Sequence, residues 1–126
     1  MKDFRRLQVW EKSHQLVLAI YEATVAFPQT ELYGLTGQIR RASASIPANI
    51  AEGCGRDGDA ELSRFFQIAM GSASELEYHL LLAHDLGFLG DGDYRQLAPK
   101  VVEVKQMLAS FIKTLKLGRQ KQKADS

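Results

Sequence analysis

The chain is poor in cysteine and proline: its 126 residues include one Cys and three Pro. A lone Cys54 cannot close an internal disulfide, so the fold must rest on its core, and the protein reads as cytoplasmic, where thiols stay reduced. A domain of 126 residues is long enough to bury such a core without metals or cross-links. No apolar run approaches the roughly 20 residues that span a bilayer. No basic start followed by an apolar stretch marks a signal peptide. Neither a membrane nor secretion is therefore expected. Sustained period-two alternation between turn residues is also missing, which argues against strands. Without strands, a glycine-rich phosphate loop after a strand is excluded as well.

Metal ligands and nucleophiles are equally sparse. A di-metal centre in a helical bundle needs a Glu-x-x-His motif on each of two helices and a Glu on each of the others. This chain has one such motif, Glu11-Lys12-Ser13-His14. Glu75 and His79 are four apart rather than three. His14 reads as a packed histidine, and Glu75, Glu77 and Asp85 as a solvated acidic face. Cys54 falls near a helix C-terminus, where the helix dipole disfavours a thiolate. No catalytic residue, metal or cofactor is expected, and the protein reads as non-enzymatic.

What the chain does have is helical periodicity, four times over. In the first segment Leu7, Trp10, His14, Val17, Tyr21 and Thr24 form a stripe, and Val9, Leu16, Leu18 and Ile20 widen it; Pro28 ends it near Phe27. In the second, Leu32, Leu35, Ile39, Ala42, Ile46 and Ile50 share a face, Thr30 is a candidate cap, and Gly53 and Gly55 close it. Pro47 lies inside this pattern, which resumes at Ile50, so a kink is expected there rather than a stop. The third runs through Leu62, Phe65, Phe66, Ala69, Ala73, Leu76, Leu80 and Ala83, with Asp59 as its cap and Gly87 at its end. The small residues Gly71-Ser72-Ala73-Ser74 at its middle allow a neighbouring helix to come close. The fourth carries Tyr94, Leu97, Val101, Val104, Leu108, Phe111 and Leu115, with Asp93 and Gln96 as a capping box and Pro99 loosening its start. These segments predict an all-α fold, an antiparallel up-down-up-down four-helix bundle over residues 1–118. Residues 119–126, with no large apolar side chain, are expected to form a basic disordered tail.

The first segment is apolar on more than one face. A monomeric bundle buries one stripe per helix, so the surplus suggests a subunit interface; a broader core face is the alternative.

Net charge is only +1, yet it is unevenly spread. Residues 1–56 carry seven Lys/Arg against five Asp/Glu, residues 57–93 one against eight, and residues 94–126 eight against two. The basic residues form candidate phosphate contacts. Arg5, Arg6 and Lys12 lie at the start of the first helix, and Arg40 and Arg41 are adjacent on the second. Lys113, Lys116, Arg119, Lys121 and Lys123 cluster toward the C-terminus. The competing reading is a solvated surface, with Arg40 or Arg41 paired to Glu31, Glu52 or the acidic third helix.

Several pieces occur in a characteristic order: Trp10-Glu11-Lys12, Phe27-Pro28, Glu31-Leu32-Tyr33-Gly34-Leu35, Gln38-Ile39-Arg40-Arg41-Ala42, then Ser45-Ile46-Pro47-Ala48-Asn49-Ile50-Ala51-Glu52-Gly53, and finally Ile68-Ala69-Met70-Gly71-Ser72 and Glu75-Leu76-Glu77. Over residues 4–115 the chain resembles the family of small bacterial four-helix bundles encoded within intervening sequences of 23S ribosomal RNA genes. That family is similar to the accessory variability determinants of diversity-generating retroelements. The resemblance implies a homopentamer with a non-enzymatic role and proposed RNA or DNA binding, Arg40 and Arg41 matching the family motif. Gly58, where the family often has Ser, and Cys54, where a larger residue is common, depart from it. The acidic middle segment favours the alternative, a structural module that binds a protein partner and no nucleic acid.

Overall fold

A computed structural model describes residues 2–125, with side chains to residue 121. All regular structure among these residues is helical: α1 (Gln8–Thr24), α2 (Leu35–Cys54), α3 (Asp59–Asp85) and α4 (Asp91–Asp125). Short 3-10 turns at Phe4–Arg6 and Gln29–Glu31 precede α1 and α2. The helices form a four-helix bundle in which α1 packs on α2, α2 on α3, α3 on α4 and α4 on α1. Residue numbers rise along one helix as they fall along its neighbour. Ser45 meets Ser72 while Gly53 meets Phe65, and Glu77 meets Lys105 while Phe66 meets Phe111.

Burial of the aliphatic stripes drives this packing. The core holds Leu35, Ile39, Ile46 and Ile50 of α2, Phe66, Leu76 and Leu80 of α3, and Val101, Val104 and Leu108 of α4. Those faces are the ones periodicity predicts. On α1 the chosen face differs. Val9, Ser13, Leu16, Ile20 and Thr24 are buried, whereas Trp10, His14 and Val17 are half-buried and Tyr21 is exposed. Both α1 stripes have helical spacing, and the bundle selects the aliphatic one. Ser13 is small enough to sit inside it and donates its hydroxyl to the Trp10 carbonyl at 2.9 Å. The aromatic stripe flanks the core: Phe4 packs edge-on to Trp10 at 5.0 Å, and His14 stacks on Trp10 at 4.9 Å.

The helix ends correct several expectations. Thr30 does not cap α2, because it falls in the preceding 3-10 turn; the Glu31 carboxylate does, accepting from the Leu35 amide at 3.1 Å. Asp59 is already the first residue of α3, and the chain enters from Gly58 at φ +87°, a conformation glycine adopts without strain. Asp93 lies inside the first turn of α4, which begins at Asp91 and runs through Pro99 unbroken. Helix α2 likewise continues through Pro47, to Cys54. Gly53 therefore lies within α2 rather than ending it, and it is buried. A Cβ there would lie 2.9 Å from the Cβ of Phe65, so glycine permits the close approach of α2 and α3.

Helix α3 ends as expected of Gly87. With φ +81° its amide donates to the His84 carbonyl at 3.0 Å, and the Phe88 amide donates to Ala83 at 2.9 Å, the paired bonds of a Schellman motif. Gly118 does not stop α4. The helix continues over residues 119–125, where a disordered tail is expected. Arg, Gln, Lys and Ala are all strong helix formers, and an existing helix supplies the costly nucleus.

Candidate nucleic-acid interface

Antiparallel packing gathers the two basic blocks, at the start of α1 and the end of α4, at one end of the bundle. The Lys2 amide donates to the Cys54 carbonyl at 3.0 Å, and the Phe66 and Phe111 rings lie 4.7 Å apart. The start of α1, the end of α2, the start of α3 and the end of α4 thus share one end of the bundle. There Arg5 and Arg6 join Lys113, Lys116, Arg119 and Lys121, and these cations outnumber the carboxylates described at the same end, Asp3, Glu52, Asp57, Asp59 and Glu61. The opposite end carries Glu31, Asp85, Asp91 and Asp93. No helix among the described residues is long and apolar enough to cross a membrane, and no group of metal-ligating residues is found among them.

The candidate cations divide by what they touch. Arg5 lies over the Phe4 ring at 4.5 Å and 3.8 Å from the Asp3 carboxylate. Lys12 pairs with Glu103 at 2.8 Å, tying α1 to α4. The guanidinium of Arg40 covers the Tyr21 ring at 4.9 Å, and its Nε donates to Thr24 Oγ1 at 3.0 Å. Thr24 in turn donates to the Ile20 carbonyl at 2.8 Å. Arg40 is therefore a packing residue at the α1–α2 seam. Among the described residues, Arg6, Arg41, Lys113, Lys116, Arg119 and Lys121 have no carboxylate within salt-bridge distance. The side chain of Lys123 lies outside the described residues.

These lysines and the arginine of α4 sit where the helix leaves the core. Leu115 is its last buried residue among those whose side chains are described, and every side chain from Lys116 to Lys121 is exposed. Lys113 and Lys116 border a shallow groove floored by Met70, Ile112 and Leu117. A cation held on an exposed, helical spacing is available to a polyanion. Two further arginines at this end escaped the sequence reading, Arg56 and Arg64. They lie over the Phe65 ring at 5.3 and 4.5 Å and pair with Glu52 at 2.8 Å and Glu61 at 3.1 Å. Glu52 and Glu61 lie four and three residues from these arginines, one helical turn, which was the available signal.

Arg41 stands apart from this end. It borders a polar cleft between α2 and α3 of about 310 Å³ with Gln38, Ser45, Ser72, Glu75 and His79. Ser45 and Ser72 share a hydrogen bond of 2.8 Å across the seam, and Asn49 Nδ2 donates to Ser45 Oγ at 2.9 Å. The small residues Gly71-Ser72-Ala73-Ser74 do not act as one packing surface: Ala73 is buried, but Gly71 and Ser74 are exposed. Cys54 is buried at the basic end, and burial pushes its thiol above the usual range, with Lys2 partly opposing the shift.

These features define a four-helix bundle with a basic end formed chiefly by a projecting helix. The family model described as 23S rRNA-intervening sequence protein matches residues 5–110, and the chain belongs to that family. A crystal structure of a protein of unknown function from the S23 ribosomal protein family of Bacteroides thetaiotaomicron is similar at 28% identity and a TM-score of 0.75, covering 83% of this chain and 98% of that one. No curated protein matches the chain.

Proposed function

We propose that the protein is a non-enzymatic, homo-oligomeric bundle of the cytoplasm that binds single-stranded RNA or DNA through the basic end. The carrying observation is the set of cations on α4, Lys113, Lys116, Arg119 and Lys121, which are exposed and lack carboxylate partners among the described residues. Phosphate contacts of this kind give affinity without sequence information. Assembly is supported by apolar surface the monomer leaves open: Leu18 on α1, Val25 just after it, and Tyr33, which is 93% exposed. The family resemblance sets the expected number of subunits at five. Repetition of the basic end in an oligomer multiplies weak contacts into useful avidity.

A salt titration tests the reading. Four phosphates neutralised on a single strand give a slope of log Kobs against log salt of about −3 per protomer, from roughly −0.7 for each. The quadruple neutral variant Lys113→Gln, Lys116→Gln, Arg119→Gln, Lys121→Gln is expected to lose most of that slope and to keep its circular dichroism. Absence of any binding at low salt would favour the second reading, a module for a protein partner, which the same open apolar side chains also suit. Light scattering at micromolar concentration tests assembly, and a monomer mass would refute it.

A further inference from the structure

The cleft between α2 and α3 is not explained by phosphate contacts. The other seams also carry polar contacts at their margins, but those are closed pairs, Lys12 with Glu103, Lys105 with Glu77 and Arg40 with Thr24, whereas here charged side chains border an open cleft. Two of its charged lining groups, Arg41 and Glu75, are exposed and unpaired with each other, and one, His79, is largely buried. Arg41 has no carboxylate within salt-bridge distance among the described residues. Glu75 comes only within 3.9 Å of His79 Nδ1. That nitrogen is buried and has no hydrogen-bond partner among the described residues, in a side chain that is 12% exposed. A buried polar atom left unpaired is costly, and in a native structure it calls for an explanation.

Two opposite charges thus border one cleft from different helices without pairing. A ligand that bridges them must offer acceptors to a guanidinium and donors to a carboxylate, and it must fit within about 310 Å³ between two helices. Guanine has that pattern. Its N7 and O6 are adjacent acceptors suited to a bidentate arginine, and its N1–H and N2 amino group are adjacent donors suited to a carboxylate. Adenine and uracil alternate donors and acceptors along the same edges, and cytosine has a single donor group.

We propose that the cleft binds a guanine base, with Arg41 reading N7 and O6 and Glu75 reading N1–H and the N2 amino group. Gly37 keeps room for this: a Cβ there would lie 3.0 Å from Arg41 Nη1, so the guanidinium rests against the bare backbone of α2. The inference rests on the nucleic-acid reading only for the source of the base, an unstacked guanine in a bound strand; a free guanine nucleotide is the other source.

The test uses the full chain, fluorescent single-stranded RNA with one central variable base, and free guanosine monophosphate. The guanine strand is expected to bind about tenfold or more tighter than the adenine strand, the discrimination of one good bidentate contact. Replacing guanine by hypoxanthine, which lacks the N2 amino group, lowers affinity in the wild type but not in Glu75→Gln. Replacing it by 7-deazaguanine lowers affinity in the wild type but not in Arg41→Ala. Both variants change exposed side chains, and circular dichroism checks their folding. Equal affinity for guanine and adenine strands, with binding still salt-dependent, overturns the cleft proposal and leaves the phosphate reading intact. If no strand binds but guanosine monophosphate perturbs the NMR signal of His79, the cleft takes the free nucleotide and the phosphate reading fails. If neither ligand binds, both fail.

Discussion

Replacing Gly53 by Ala probes the close approach of α2 and α3. The added Cβ would lie 2.9 Å from Phe65 Cβ and 3.4 Å from both the Leu62 carbonyl oxygen and a Leu62 methyl. Phe65 Cβ is bonded directly to the α3 backbone, so no change of rotamer removes the clash and α3 itself must move. Two effects compete. Alanine is favoured over glycine inside a helix by about 1 kcal/mol, whereas overpacking a filled core costs about 1–3 kcal/mol. A contact anchored in backbone belongs at the upper part of that range, which leaves a net loss of about 1–2 kcal/mol. For a chain of this length each kcal/mol shifts Tm by about 3–6 °C, so the variant is expected to melt about 3–12 °C lower. Gly71→Ala supplies the contrast. Gly71 lies inside α3 with nothing within 4 Å of an added Cβ, so only helix propensity operates and Tm should rise by about 3–6 °C. Thermal unfolding followed by circular dichroism reads both, at one protein concentration so that assembly is held constant. A Gly53→Ala protein as stable as the wild type, or more so, would refute the claim that this glycine sets the α2–α3 distance.

Arg40→Ala should lower stability by about 1–2 kcal/mol, through loss of the Tyr21 contact and the hydrogen bond to Thr24, and leave RNA affinity unchanged; a large loss of affinity in a fully stable variant contradicts its assignment to packing. His84 Nε2 lies 2.6 Å from Asp91 Oδ1, and this hydrogen bond, followed by the charge of His84, holds the Asp91 carboxyl below its ordinary range. A depressed carboxyl contributes stability that is present above its unfolded value, near pH 4, and lost as pH falls through the lower folded value. NMR titration should therefore place the Asp91 midpoint lower in the wild type than in His84→Ala, and equal midpoints count against the pair. Cys54 is buried with its thiol pushed up, so a thiol reagent at pH 8 should react at least about 100-fold more slowly with the native protein than with the unfolded chain; immediate full reaction indicates an open site.

The helix count and three of the four core faces were legible in the residues. The stripes Leu35–Ile39–Ile46–Ile50, Leu62–Phe66–Leu76–Leu80 and Leu97–Val101–Val104–Leu108 are each the single strong apolar face of their segments, and all are buried. Period and hydrophobicity are local properties, so a local reading suffices. Helix α1 offers two stripes of equal spacing, and only the shape of the space between α2 and α4 selects Val9–Ser13–Leu16–Ile20–Thr24 over the aromatic one. The helix caps also eluded the sequence, because Thr30 and Asp93 are good cap residues whose neighbours already settle the chain elsewhere. The basic residues show the same limit. Their identity is in the sequence, but whether a cation is free depends on partners from other helices. Lys12 finds Glu103 and Arg40 finds Tyr21 and Thr24, while Arg41, next to Arg40 in the chain, points into a different seam. Adjacent positions on a helix are turned about 100° apart, so tertiary packing alone decided that one arginine of the pair holds the bundle together and the other remains available to a ligand.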